Sequence, residues 1–358
     1  MIGDPSGRSE ERNLLSSEQL AANVAGIERQ IRGLLEPAAG LNARVHVVNN
    51  GDWMRGVGYL EFLRDVGKHV PLSQMLAKDS VKSRLERPDG GLSYTEFSYM
   101  LLQAWDFVHL SDALDCRIQL GGSDQWGNIT AGIELGRRLR GRELHGITCP
   151  LLTKSDGTKM GKTAEGAVWL DPARTSPYRF YQYWINLDDE DAGRCLRRIS
   201  EVPIEEIESL DRARAESPAA RDSQKRLAED LTRLVHGDSG LAAARQATAV
   251  FFGAEIADLD DRQMAEIFAD VPSSDFPRDL VEREGVAVVE LFERTGLSAT
   301  RSAARRTIEQ GGGYVNNRRI TDVNHRVTAA DLAGRTSIVL RSGKKSYAIA
   351  RFREGGAG

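Results

Sequence analysis

The chain has 358 residues, 41% of them hydrophobic and 28% charged, with a formal net charge of −4 at neutral pH. That length suggests two or three domains, no apolar run reaches the length of a membrane span, and no basic stretch followed by an apolar one marks a secretory signal. Three cysteines at wide spacing (Cys116, Cys149 and Cys195) and six scattered histidines make neither a disulfide framework nor a metal-ligand spacing, so a reducing cytoplasm and no structural metal are expected.

In chain order, Gly3-Asp4-Pro5-Ser6-Gly7 is a tight turn, because Gly and Pro supply the backbone angles of a reversal. Residues 16–36 predict an amphipathic helix, with Leu20, Val24, Ile27, Ile31 and Leu34 at helical spacing. "ARVHVVNN" (43–50) reads as a strand, and "GYLEFLRDVGKHV" as a helix with a Gly break. "SYTEFSYMLLQAWDFVHL" (93–110) is a helix opened by a capping box, Ser93 with Glu96 three residues on. "CRIQL" (116–120) is a short strand, "GNITAGIELGRRLRG" a helix and "ITCPLLT" (147–153) a further strand. Alternating strands and helices predict a parallel sheet faced by helices.

Beyond about Thr175 the pattern turns all-helical, and Gly237 reads as a C-terminal stop after "RDSQKRLAEDLTRLVH". "FADVPSSDFPRDLVEREG" (268–285), with its Pro and Ser, reads as a linker. The remainder is a small α+β unit: a basic helix, a Gly-rich turn, a short strand and the hairpin "SIVLRSGKKSYAIARF". No internal repeat is present. From Gly285 onward there are 13 basic and 6 acidic residues, a net of +7, on a body of −11. A basic module on an acidic body points to a polyanion, nucleic acid before a merely solvated surface.

Three stretches carry chemistry. In an open parallel sheet, ligands sit beyond the carboxyl ends of the strands. "QLGGSDQWGN" is such a loop: its paired glycines admit close backbone approach, and Asp124 can accept from ribose hydroxyls, although a plain strand-to-helix turn reads the same way. "LLTKSDGTKMGKT" is the other. Lys154, Lys159 and Lys162 in a Gly-containing loop after a strand suit a polyphosphate whose charge grows in the transition state. A P-loop would need Gly at residue 156, which is Asp156, so that alternative is disfavoured. Third, Tyr99, Gln103 and Asp106 share one helix face. An unpaired buried polar group costs about 1–3 kcal/mol, so this face lines a polar pocket or meets solvent. The pocket is the preferred reading.

"GDPSG", "FLRDVGKH", "FSYMLLQAWDF", "GGSDQWGNITAG", "GTKMGKT" and "SPYRFYQYWIN", in this order, resemble the bacterial tyrosyl-tRNA synthetases, class I aminoacyl-tRNA synthetases. The resemblance covers nearly the whole chain. It implies a Rossmann-like catalytic domain, N-terminally incomplete, over residues 1–175, a helical anticodon-binding-type domain over 176–267, a linker over 268–284, and an S4-like RNA-binding domain over 285–354.

It also implies a tyrosine–tRNA ligase that activates tyrosine with ATP, accompanied by Mg2+, and transfers it to tRNA(Tyr). Asp4, Tyr99 and Gln103 then hold the substrate ammonium, and Asp106 accepts from the phenol. Gln119, Gln125 and Asn50 complete the tyrosine pocket. Gly122 and Asp124 contact the adenosine ribose, and Lys159, Gly161, Lys162 and Thr163 belong to the mobile phosphate loop, with Arg8 and Arg12 reaching the same phosphates. Arg301, Arg305, Arg306, Arg318, Arg319, Lys344 and Lys345 form the RNA surface. The stretch around "NNGDWMRGVGYLEFLRDVGKHV" and Tyr94 implies a homodimer. In the family a first strand and an H-x-G-H signature precede "GDPSG", and none of the six histidines here makes that signature. The expectation is a start inside the catalytic domain and impaired adenylate formation. The alternative is a non-catalytic RNA-binding protein working through the basic module.

Overall fold

The computed structural model describes residues 2–4, 15–36, 44–78, 81–82, 85, 92–158, 160–163, 166–254, 256, 259–268, 271–343 and 346–354. The chain divides into two compact units, Met1–Met160 and Gly161–Gly358.

Unit one opens with α1 (Ser17–Leu35), capped by Ser16, whose Oγ accepts from the Gln19 N–H at 3.2 Å. The helix has the expected period, yet none of its residues is buried. Residues 44–49, expected as a strand, are irregular instead. A strand is defined by its ladder, and no described segment pairs with this one, so β-branched composition alone does not make it a strand. Short helices α2 (Gly51–Met54), α3 (Tyr59–Asp65) and α4 (Leu72–Leu76) follow, with a 3-10 turn over Gly67–His69 where the Gly break was expected.

The central helix is α5 (Tyr94–Leu114). Its capping box is present: the Ser93 Oγ accepts from the Glu96 N–H at 3.2 Å and the Glu96 carboxylate accepts from the Ser93 N–H at 3.3 Å. Then come β1 (Ile118–Gly122), α6 (Trp126–Arg140) and β2 (His145–Cys149). The last begins two residues earlier than the apolar run suggested and ends at Cys149. β1 and β2 pair in parallel, Ile118 opposite His145 through Gly122 opposite Cys149, as the α/β reading requires. Met100, Leu101, Ala104 and Val108 of α5 pack with Ala131 and Leu135 of α6 to form the core. β1 therefore delivers its Gly-Gly loop to the start of α6.

In unit two the two-residue strands β3 (Lys162–Thr163) and β4 (Gly166–Ala167) pair antiparallel. The expected helical region follows as α7 (Pro177–Ile185), α8 (Asp189–Ile199), α9 (Ile204–Glu216), α10 (Asp222–Phe251) and α11 (Asp261–Ile267). Gly237 interrupts α10 at φ 71° and ψ −179°, a conformation that L side chains rarely adopt. The break comes where a stop was expected, but the helix resumes and runs to Phe251.

Residues 268–284, expected as a linker, instead hold β5 (Ser273–Pro277) and α12 (Asp279–Glu282). β6 (Val286–Ala287), α13 (Val288–Arg294), α14 (Arg301–Glu309), β7 (Gly313–Val315), β8 (Arg318–Arg319) and β9 (Arg326–Val327) follow, and β10 (Ser337–Ser342) and β11 (Ser346–Arg353) make the expected hairpin. The sheet order is β5-β11-β10-β7-β8, with β5 parallel to β11. Burial of Phe276 is what turns the Pro- and Ser-bearing segment into an edge strand.

The sheet is a middle layer. One face packs Ile338, Leu340, Ala350 and Phe352 against Leu291, Phe292 and Ile308. The other packs Val339 and Ile349 against Ala247, Val250 and Phe268 of the helical region. Asn317, at φ 63°, donates through Nδ2 to the carbonyls of Val250 (2.7 Å) and Ala254 (2.9 Å), satisfying the end of α10.

Candidate functional site

The polar face of α5 lines a cavity of about 400 Å³ in unit one, with Asn50, Tyr99, Gln103 and Asp106 in its wall. Helical spacing puts the last three on one side, and α2 brings Asn50 opposite. The Asp106 carboxylate accepts from Asn50 Nδ2 at 3.0 Å and from Trp53 Nε1 at 2.8 Å. Trp53 in turn stacks on His109, ring centroids 4.5 Å apart. Two donors fix the carboxylate and leave it acceptor capacity for a third group.

Trp53 escaped the sequence reading. Its only signal was an indole N–H three residues after Asn50, which needs an acceptor when it is not in water. The other wall of the cavity is apolar, made by Ile2, Leu20, Val24 and Leu102. An apolar lining and one carboxylate held by donors can receive an aromatic ring that carries a hydroxyl.

Asp4, two residues after Ile2 of the cavity lining, is joined to the Gly-Gly loop: Gln125 Nε2 donates to Asp4 Oδ2 at 2.6 Å, and Gln125 Oε1 accepts from Asn128 Nδ2 at 3.3 Å. Gln119 on β1 keeps its Oε1 buried without a hydrogen-bond partner among the described residues, an acceptor in want of a donor. A Cβ on Gly122 would sit 2.6 Å from Asp124 Oδ1, so the second glycine is what lets the Asp124 carboxylate fold back over the strand end. Asp124 itself is exposed.

The lysine loop is a tight reversal. Lys154 N–H donates to the Thr158 carbonyl at 2.8 Å, and Asp156 Oδ1 accepts from the Thr158 N–H and hydroxyl at 2.8 and 2.6 Å. Those bonds, led by the hydroxyl's, hold the Asp156 carboxyl below its ordinary value. In unit two the Gly161 N–H donates to Tyr183 Oη on α7 at 2.9 Å. Lys162 and Thr163 open a strand, whereas the Lys-Ser/Thr of a P-loop opens a helix, which removes that alternative. Lys159, Arg8, Arg12, Lys344 and Lys345 lie outside the described residues.

On the C-terminal module Arg305 and Arg306 are exposed on α14, and Arg318 and Arg319 are exposed on β8. Arg301 is spent on acids of its own module, 2.8 Å from Glu293 and 3.4 Å from Glu290. Among the described residues no group of three or more His, Cys, Asp or Glu could hold a metal ion, and no helix is long and apolar enough to cross a membrane.

Residues 1–253 match the family model for class I tRNA synthetases (W and Y), and residues 263–350 match that for the SYY-like C-terminal domain of tyrosine–tRNA ligase. The chain is 56% identical over 354 residues to the tyrosine–tRNA ligase of Rhodopirellula baltica, covering 99% of this chain and 80% of that protein. It is 50% identical over 352 residues to that of Roseiflexus castenholzii, covering 98% and 82%. Among solved structures it is similar to the C-terminally truncated mitochondrial tyrosyl-tRNA synthetase of Aspergillus nidulans, with a TM-score of 0.59 and 31% identity over 69% of this chain and 72% of that one. The counterpart from Coccidioides posadasii gives a TM-score of 0.56 and 32% identity, covering 68% and 70%.

Proposed function

The chain belongs to the tyrosine–tRNA ligase family of class I tRNA synthetases, and from that premise we propose how its residues divide the work. A tyrosine carboxylate oxygen attacks the α-phosphorus of ATP, and pyrophosphate leaves. The terminal ribose hydroxyl of tRNA(Tyr) then attacks the carbonyl carbon of tyrosyl-adenylate, and AMP leaves. A carboxylate is already a nucleophile, so the protein contributes placement and charge stabilisation.

The observation that carries this reading is the cavity lined by Asn50, Tyr99, Gln103 and Asp106, with the carboxylate pinned by two donors. Asp106 accepts from the substrate phenol. Tyr99, Gln103 and Asp4, the last steadied by Gln125, take the ammonium, and Gln119 offers its unpartnered oxygen. Gly122 and Asp124 receive the ribose. Lys159 and Lys162, with Gly161 and Thr163 in the same loop, and Arg8 and Arg12 draw the charge of the leaving pyrophosphate. Mg2+ arrives with ATP as part of the substrate.

Arg305, Arg306, Arg318 and Arg319, with Lys344 and Lys345, meet the RNA backbone, and Arg301 joins them by exchanging its Glu290 and Glu293 partners for phosphate. Leu60, Leu72, Tyr59 and Tyr94 are all exposed on α3, α4 and the start of α5, with the Tyr59 and Tyr94 hydroxyls 3.1 Å apart. An apolar patch of this kind suits a second copy of the chain, making a homodimer.

Tyrosine-dependent exchange of pyrophosphate into ATP tests the reading. Exchange that Asp106→Ala abolishes supports it. Exchange indifferent to tyrosine and to Asp106 overturns it. tRNA binding without any exchange would favour the non-catalytic alternative.

A further inference from the structure

A second cavity in unit one, of about 390 Å³, has an apolar side made by Val70, Met75 and Met100 and a polar side made by Lys78, Thr130 and Glu134. Lys78 is half-buried there. Its Nζ donates to Thr130 Oγ1 at 2.8 Å, and that hydroxyl spends its own hydrogen on the Trp126 carbonyl at 2.8 Å. The threonine lone pair thus orients the amine.

Among the described residues no carboxylate pairs with Lys78. Glu134, the acid in the cavity wall, is held by Arg137 at 2.7 Å and Arg138 at 2.6 Å. Arg138 also donates to the His69 carbonyl at 2.8 Å, so no free charge of that element turns toward the amine. An ammonium taken partly out of water without a counter-charge favours its neutral form, and burial lowers the Lys78 pKa accordingly. A neutral lysine amine is a nucleophile toward carbonyl carbon.

We propose that Lys78 is an acylation site, its amine taking the acyl group of a mixed carboxylic–phosphoric anhydride: an acyl-adenylate or an acyl phosphate. The nitrogen attacks the carbonyl carbon, and a carbon–nitrogen bond forms. The bond from that carbon to the phosphate oxygen breaks, and AMP or inorganic phosphate leaves with the electron pair. One nitrogen-bound proton passes to solvent. Nothing is oxidised or reduced, and the product is an amide. Val70, Met75 and Met100 receive the acyl chain, while the anhydride phosphate stays at the open, polar side.

The acyl-adenylate source rests on the function proposed above, because the chain would then make tyrosyl-adenylate itself. The acyl phosphate source does not. The chain has only nine lysines, so peptide mass mapping resolves each one. The whole chain is incubated with acetyl phosphate at neutral pH, and acetylation at each lysine is followed with time. The expected result is that Lys78 gains label several-fold faster than the exposed Lys68 and Lys225, that Lys78→Arg removes that label, and that Thr130→Val slows it with the circular dichroism unchanged. Labelling at Lys78 no faster than at Lys68 overturns the proposal.

A parallel incubation with tyrosine, ATP and pyrophosphatase looks for a tyrosyl adduct. If pyrophosphate exchange is measurable and Lys78 carries tyrosine, the adenylate is a source. If exchange is measurable and Lys78 stays unmodified, the adenylate is overturned as a source. Absence of exchange strikes the proposed function, and Lys78 is then judged on acetyl phosphate alone.

Discussion

In unit two Phe268, Phe292 and Phe352 are each 0% exposed, whereas in unit one Leu120 keeps 68% and Ile27 58% of its surface. Burial of apolar area stabilises by about 25 cal/mol per Å². Unit two therefore closes a core on both faces of its sheet, while unit one leaves apolar residues of α1, α3, α4 and β1 at the surface. The polar groups of the candidate site are in unit one: Asp106, Asn50 and Gln103 line its cavity, and Asp4 pairs with Gln125 in the same unit. The two faces of the unit-two sheet are closed, although the helical region of that unit holds a cavity of about 700 Å³, while the candidate site lies in unit one, where polar groups keep spare hydrogen-bonding capacity.

The largest effect expected from that contrast is in the closed core. Phe352→Ala should lower the unfolding free energy of unit two by about 3–5 kcal/mol, read from its denaturant midpoint. A loss below 1 kcal/mol would mean that the core is not what holds this unit. Next is Asp106→Asn, which turns an acceptor for two donors into a group that carries donors itself. Tyrosine binding should weaken by about 1–3 kcal/mol in equilibrium dialysis, with the unfolding of unit two unmoved. Equal loss of both would erase the division.

A smaller effect belongs to Asn317→Ala, which removes both bonds to the end of α10 and places a Cβ residue without a local hydrogen bond at φ 63°. About 1–2 kcal/mol should be lost from unit two, with part of it restored by Asn317→Gly. Ser93→Ala takes away one half of the capping box of α5 and should cost unit one about 1 kcal/mol, measured by thermal unfolding.

The least is a pH dependence in unit two. Burial lowers the His236 pKa from its ordinary 6.5, so between the lowered value and 6.5 the unfolded chain binds the extra proton. Stability from this group is complete above that window and falls as pH drops through it. His236→Gln should flatten the acid limb of the stability curve, and an unchanged limb would exonerate this histidine.

Much of unit one was legible from local pattern. The period of 3.6 put Tyr99, Gln103 and Asp106 on one face, and Ser93 with Glu96 announced the start of α5. Gly237 announced a break, though not that the helix resumes behind it. Residues 44–49 were illegible because Val45, Val47 and Val48 favour a strand only where a neighbour completes the ladder. Residues 268–284 were illegible for the converse reason: Pro and Ser read as loop until β11 offers an edge and the core takes Phe276. Trp53 was passed over because nothing within four residues of it hinted at Asp106.

What the amino-acid order determined by itself was every feature that depends on partners within about one helical turn: helix faces, caps, the glycine break and the tight reversal at Asp156. What only the tertiary structure decided was every feature whose partner is remote. Gln125 reaches Asp4, 121 positions away, and Trp53 reaches Asp106, 53 positions away. Periodicity and capping are local energies, written in neighbouring residues. Ladders, buried hydrogen bonds and cavities exist only after distant segments have met.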